Sequence, residues 1–261
     1  TPGSCAVLAA TGFRGRQTAV GIDLGTTYSV VGVNLGHRVH IIDGEDGNPL
    51  VPSIVSFLEG GKVAVGRAAL ERLEGDPANT IYGAKRFIGR GYDDAAVEEE
   101  AGEHHFEVVR SPEGMSGAWF RIGSDGHPPA VSPEAIGSHV LGRLLDMAAS
   151  YLGHRQVTKA VIAVPAKFTP RQRAATADAF RQAGLSVMRV LEEPTAAALA
   201  FGLHRKPHVH HILVYDFGGG TLDVSLLFVA DGAMEVMASD GDDNLGGADF
   251  DQCVARILED K

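Results

Sequence analysis

One pattern constrains this chain more than any other, because it occurs twice. Residues 18–35 (TAVGIDLGTTYSVVGVNL) read as an apolar strand, a tight turn and a second strand. Residues 211–230 (HILVYDFGGGTLDVSLLFVA) repeat the design. In each copy the first strand ends in Asp (Asp23, Asp216), one apolar residue follows, then Gly (Gly25; Gly218, Gly219 and Gly220), then Thr, then the second strand. Two such hairpins roughly 190 residues apart predict a duplicated architecture of two related lobes.

The intervening sequence is α/β. A helix is expected from Ser132-Pro133-Glu134: an N-cap Ser, a Pro at the first helical position and an acid at the positive helix end. Its apolar face is Ile136, Val140, Leu144, Met147, Ala148 and Tyr151, and Gly153 stops it. A second helix starts at Thr169-Pro170, with Gln172 completing a capping box, and ends before Gly184. A third follows Glu193-Pro194-Thr195. Strands are expected at 159–164 and 186–191. The Gly-, Pro- and charge-rich stretch 43–130 reads as a smaller subdomain inserted in the first lobe, which spans 18–191. Residues 192–261 begin the second lobe and end in an amphipathic helix without a stop signal, so the second lobe is expected to be incomplete. Residues 1–17 read as a leader. SCAVLAATGF, Ser4 to Phe13, is the remnant of a signal or anchor segment or a frayed terminus.

Composition narrows the function. Twenty-three Lys+Arg against 33 Asp+Glu give a net charge of −10, which argues against general nucleic-acid or anionic-membrane binding. No apolar run reaches the ~18 residues of a membrane span. Cys5 and Cys253 form neither a disulfide framework nor a zinc pattern. The 33 glycines exceed the ordinary share and point to tight turns and close backbone approach to a ligand.

Turns rich in Gly and Thr aim several N–H groups and hydroxyls at one point, a geometry that suits phosphate oxygens. DLGTT alone is also compatible with an ordinary hairpin turn. DFGGGTLD is harder to explain that way, since three glycines between buried strands weaken a sheet unless something approaches the backbone closely. Neither copy is a Walker A loop, and neither precedes a helix as a dinucleotide fingerprint does. Asp23 and Asp216 end apolar strands, where a carboxylate is costly unless paired or near a cation; together they suit hydrated Mg²⁺. Glu192 and Glu193 are also compatible with helix N-terminal charge, Asp223 with an outward strand position, and Lys85 with a solvated surface. The acidic run from Asp93 to Glu103 reads as a solvated face, and His204, His208, His210 and His211 as a solvated loop.

The segments AVGIDLGTTYS, NTIYGAKRFIGR, AVIAVPAKF, RVLEEPTAAALAFGL, ILVYDFGGGTLDVS and DNLGGADFD resemble, in order and spacing, the ATPase domain of the 70-kDa heat-shock (stress-70) family. NTIYGAKRFIGR and VSPEAIGSHVLGRLLDMAASYLG are most similar to the microsomal members, which keep the ATPase domain without a peptide-binding domain. The resemblance implies an actin/hexokinase-like ATPase fold of two ribonuclease-H-like lobes. It implies ATP or ADP, Mg²⁺ and K⁺ as cofactors. Gly25, Thr26, Thr27 and Tyr28 would form one phosphate site, and Gly218, Gly219, Gly220 and Thr221 the other. Asp23, Asp216 and Glu193 would hold hydrated Mg²⁺. Lys85 would place the attacking water, Asp223 would orient or polarise it, and Glu193 would join them in catalysis. Pro165 and Arg173 would relay nucleotide state. J-domain co-chaperones and nucleotide-exchange factors would be partners, and the endoplasmic reticulum, or alternatively the cytoplasm, the location. The adenine and ribose clamp would lie beyond Lys261. Gly83 stands for a usual Asp, Glu192 for a usual Asn and Lys167 for a usual aromatic. These departures keep open a nucleotide-dependent binding module without turnover. A sugar kinase on the same fold would need a second substrate pocket, for which no motif is present.

Overall fold

The structure is a computed structural model that describes residues 16–259 except 37, 45, 113–116 and 244. The expected leader therefore lies, apart from residues 16 and 17, outside the described residues. The chain forms two compact units: residues 1–162 with 170–189, and residues 163–169 with 190–261.

In the first unit, β1 (Ala19–Leu24) and β2 (Tyr28–Leu35) form the first expected hairpin, paired antiparallel with Asp23 opposite Val30. Period-two alternation buries Val20, Ile22 and Leu24 and leaves Gly21 and Asp23 on the open face of β1. β3 (Arg38–Ile41) and β4 (Val51–Pro52) both pair with β2.

The stretch 43–130 supplies two small antiparallel sheets. One consists of β5 (Ile54–Leu58), β6 (Lys62–Val65) and β7 (Thr80–Tyr82), with α1 (Arg67–Leu70) against it. After α2 (Ala95–Ala101), the other follows as β8 (Val108–Arg110), β9 (Ala118–Arg121) and β10 (Ala130–Val131). Buried Phe87, Phe106 and Phe120 meet edge to face, Phe87 and Phe120 at 5.3 Å and 90°. This is the geometry that ring quadrupoles favour.

The long helix α3 (Pro133–Leu152) begins as its sequence predicts. Ser132 Oγ accepts from the Ala135 N–H at 3.2 Å, and Gly153 ends it in the left-handed region at φ 73°. Its buried face runs from Ile136 through Val140 and Leu144 to Ala148. Tyr151 corrects the expectation: it is exposed, while its neighbour Leu152 is the residue of the last turn that packs on the core. β11 (Lys159–Val164), α4 (Pro170–Gln182) and β12 (Ser186–Glu192) complete a six-stranded sheet of order β12-β11-β1-β2-β3, with β4 beside β2. Helices α3 and α4 pack closely at Gly137, where a Cβ would stand 3.2 Å from the Ala179 Cβ.

In the second unit, α5 (Glu193–Ala200) lies against a meander of β13 (His211–Phe217), β14 (Leu222–Ala230) and β15 (Ala233–Asp242). The second expected hairpin is β13–β14, its turn closed by the Gly218 N–H donating to the Thr221 carbonyl at 2.8 Å. Ala198, Ile212, Leu227 and Val229 form the buried core among the described residues of this unit. The chain then turns into α6 (Gly247–Glu259), whose residues are largely exposed.

Candidate functional site

Each unit carries one half of the predicted constellation. In the first unit the turn after β1 must contain glycine: a Cβ on Gly25 would stand 2.2 Å from the Tyr28 carbonyl oxygen. That steric demand holds the turn tight and brings the Gly25 and Thr26 backbone to the rim of a small pocket. Lys85 lines the same pocket, together with Ser53 and Thr176. A lysine whose sequence context fits a solvated surface therefore stands half-buried beside the phosphate-type turn. Thr27 and Tyr28 are exposed next to it, and the Ser53 N–H donates to the Thr27 carbonyl at 2.8 Å. Buried Ser29 meets Ser53 hydroxyl to hydroxyl at 2.9 Å. Asp23 stands on the exposed face of β1.

Lys85 sits in a single 3-10 turn, Ala84–Arg86, entered through Gly83 in the left-handed region at φ 65°. Glycine adopts that conformation without strain. The space a Gly83 side chain would take is bounded by His104, whose Cε1 would lie 3.3 Å from a Cβ. The departure at position 83 is thus matched by the ring beside it.

In the second unit the acids gather at one end of a sheet face. Ile212, Val214 and Asp216 alternate along β13, and Asp223, Ser225 and Leu227 along β14. The register sets Asp216 directly opposite Asp223, so both carboxylates share one face. Like charges placed so repel, and the arrangement is costly without a compensating cation. Helix α5 covers the inner end of that face, and its first residues, Glu193 and Pro194, line a pocket with Asp216, Asp223, Pro165 and Ala166. Burial pushes the Asp223 carboxyl above the usual range; Glu193, Asp243 and Asp216 add to the rise, and Lys167 opposes it.

Lys167 donates from Nζ to Asp240 Oδ1 at 3.3 Å and to the Gly241 carbonyl at 3.2 Å. Gly241 is the β15 partner of Asp223 in the register, so this cation is tied to the same rung of the sheet. Glu192 is the N-cap of α5, and its side chain makes no capping hydrogen bond.

The second glycine turn is braced from behind. The Gly247 N–H donates to the Gly218 carbonyl at 3.1 Å and the Ala248 N–H to the Gly219 carbonyl at 2.8 Å. A Cβ on Gly246 would stand 2.3 Å from the Gly220 nitrogen. Gly246, Gly247 and Ala248 therefore support the Gly218–Thr221 turn, a role these residues do not announce in the sequence.

Asp216, Asp223 and Glu193, which line one pocket, are hard oxygen donors of the kind Mg²⁺ takes. Among the described residues no three His, Cys, Asp or Glu side chains converge at direct-ligand spacing. The donor set fits a hydrated ion held partly through its own waters, which Mg²⁺ releases reluctantly.

One acid corrects the expectation of a solvated run. Glu98 and Glu99 are exposed on α2, but Glu100 is 4% exposed. Arg86 Nη1 donates to both of its carboxylate oxygens, at 2.8 and 2.9 Å, and His104 Nε2 stands 2.8 Å from Oε1. The i, i+3 spacing of Val97 and Glu100 on one helix face was the available signal.

Each unit thus carries a Gly/Thr turn with an acid one residue before the end of the strand that enters it, and a lysine lines the pocket of the first turn. The family model described as Hsp70 protein matches residues 19–261, nearly the whole chain. The chain belongs to the Hsp70 family, whose members are ATPases that bind ATP or ADP with Mg²⁺ and typically work with co-chaperones. No described helix is long and apolar enough to cross a membrane.

Proposed function

We propose that this chain binds Mg-ATP and hydrolyses it slowly to ADP and phosphate. The observation that carries the reading is the Asp216–Asp223 rung beside Glu193, two opposed carboxylates and a third acid lining one pocket. Gly25, Thr26, Thr27 and Tyr28 take phosphate oxygens on the first unit, and Gly218, Gly219, Gly220 and Thr221 on the second. Asp23, Asp216 and Glu193 hold the hydrated Mg²⁺, which when bound neutralises charge on the transferring phosphoryl group.

Lys85 orients the attacking water. Asp223, its carboxyl already raised by burial and neighbouring acids, accepts the water's proton as the new O–P bond forms and the bond to ADP breaks. Such a reaction asks for positioning and charge neutralisation more than covalent chemistry. Closure of the two units on the nucleotide, independence from peptide, a K⁺ requirement, J-domain and exchange-factor partners, and residence in the endoplasmic reticulum with the microsomal members belong to the same proposal and rest on the family resemblance.

The test is single-turnover hydrolysis of Mg-ATP by the full-length protein and by Lys85→Ala. A fall of at least about a hundredfold is expected, the usual effect of losing one transition-state group. Unchanged turnover in Lys85→Ala would overturn the mechanism. ATP binding without any turnover in the parent protein would mean a nucleotide-dependent binding module instead. Replacing K⁺ by Na⁺ in the same assay, and finding the protein outside the microsomal fraction, are the results that would remove the cation and the location.

A further inference from the structure

The turn that carries Lys85 is closed by backbone hydrogen bonds from Arg86 N–H to the Gly83 carbonyl at 2.9 Å and from Phe87 N–H to the Ala84 carbonyl at 3.1 Å. A turn this short does not fix a lysine by itself. Ala84, Phe87 and Ile88 are buried, which anchors its inner side. Lys85 lines the pocket of Gly25 and Thr26, and Arg86 binds Glu100.

Glu100, in the last turn of α2, and His104, three residues past its end, border the two ends of that turn. Glu100 Oε1 and Oε2 receive Arg86 at its exit. The His104 ring borders Gly83 at its entry, with Cε1 at 3.3 Å from where a Cβ would be. The ring is itself held: it stacks on Phe106 at 4.6 Å and 17°, and meets Tyr82 edge to face at 4.7 Å. His104 Nδ1 is buried with no hydrogen-bond partner. A carboxylate oxygen only accepts, so the His104 hydrogen bond to Glu100 runs from Nε2–H to Oε1.

We propose that Glu100 is a positioning residue for Lys85: with His104 it grips the turn at Gly83 and Arg86, and so sets the lysine against the Gly25–Thr26 pocket. The proposal rests on the reading of Lys85 given above. It assigns a buried carboxylate on the inserted subdomain to the chemistry of the phosphate pocket, although Glu100 itself touches neither nucleotide nor water. A misplacement of the lysine by an ångström then lowers turnover without weakening ATP binding.

The experiment uses the full-length protein and measures kcat, KM for ATP and ADP affinity for Glu100→Gln, Arg86→Met, Arg86→Lys and Lys85→Ala, with thermal melts to verify folding. Glu100→Gln and Arg86→Met are expected to lower kcat by about tenfold or more with KM and ADP affinity within about twofold, as misplaced catalytic groups do. Arg86→Lys, which keeps a cation for Glu100, is expected to restore most of the rate. Amide exchange across residues 83–87 should quicken in Glu100→Gln. Wild-type kcat in folded Glu100→Gln, or a loss expressed only in KM, overturns the proposal. If Glu100→Gln does not fold, the arginine pair decides alone, and equal rates for Arg86→Met and Arg86→Lys overturn it. Wild-type turnover in Lys85→Ala instead overturns the hydrolysis mechanism, which separates the two failures.

Discussion

A buried carboxylate that loses its partners costs about 3–5 kcal/mol, so Glu100 keeps its charge only because Arg86 and His104 replace its water. Desolvation alone would push its carboxyl up; the hydrogen bonds from His104 and Arg86, with the Arg86 charge, outweigh it and hold it below the ordinary value of 4.5. An acid lowered in the folded state contributes stability above its unfolded value and loses it as pH falls through the folded one. Unfolding free energy measured from pH 7 to pH 3 should therefore fall more steeply for the parent protein than for Glu100→Gln below about pH 4.5. Parallel curves would mean that the ion pair contributes nothing to folding. Asp46, Asp93 and Asp240 are also lowered, but they are exposed, and solvent screens them, so they do not produce that difference. At this scale the sequence was only partly legible. Gly25, Asp23 and Asp216 follow from strand-end chemistry. Glu100 does not, because a cluster of acids looks solvated until the helix face is set against Arg86, fourteen residues earlier.

Elements were more legible than partners. Ser132-Pro133 and Gly153 fix α3, and the two hairpins follow from alternation interrupted by Gly and Thr, since local backbone preference decides them. What the sequence withheld was which element stands behind which. The segment opening α6 is such a case: Gly246 has room for no side chain, because the Gly220 backbone occupies the place. Gly246→Ala forces the Gly218–Thr221 turn to shift while leaving every proposed phosphate-binding residue in the sequence. We expect ADP affinity to fall by about tenfold or more, because backbone donors aimed at phosphate lose strength steeply when misaligned. Calorimetric titration of ADP into the folded variant measures it, and unchanged affinity would mean that the second turn does not bind phosphate in this geometry.

For the molecule as a whole, the two units differ in what holds them. The first has an extended core that joins the β1–β2 sheet to α3, α4 and the phenylalanine cluster. The described core of the second is Ala198, Ile212, Leu227 and Val229, and it carries the opposed acids Asp216 and Asp223. Hydrophobic stabilisation scales with apolar area removed from water, so the second unit has less to oppose that repulsion. A cation bound there stabilises by mass action, about 2.7 kcal/mol at a hundred times its dissociation constant. Native-state amide exchange should accordingly be faster in β13 and β14 than in β1 and β2 without Mg²⁺. Saturating Mg-ADP should slow it in β13 and β14 by about a hundredfold, the same free energy read as a rate. Asp216→Asn should exchange more slowly than the parent without Mg²⁺, because one of the opposed charges is gone, and should respond much less to Mg-ADP. Opposite behaviour, faster exchange in the metal-free variant with a full response to Mg-ADP, would show that Asp216 is structural and that the cation is held elsewhere.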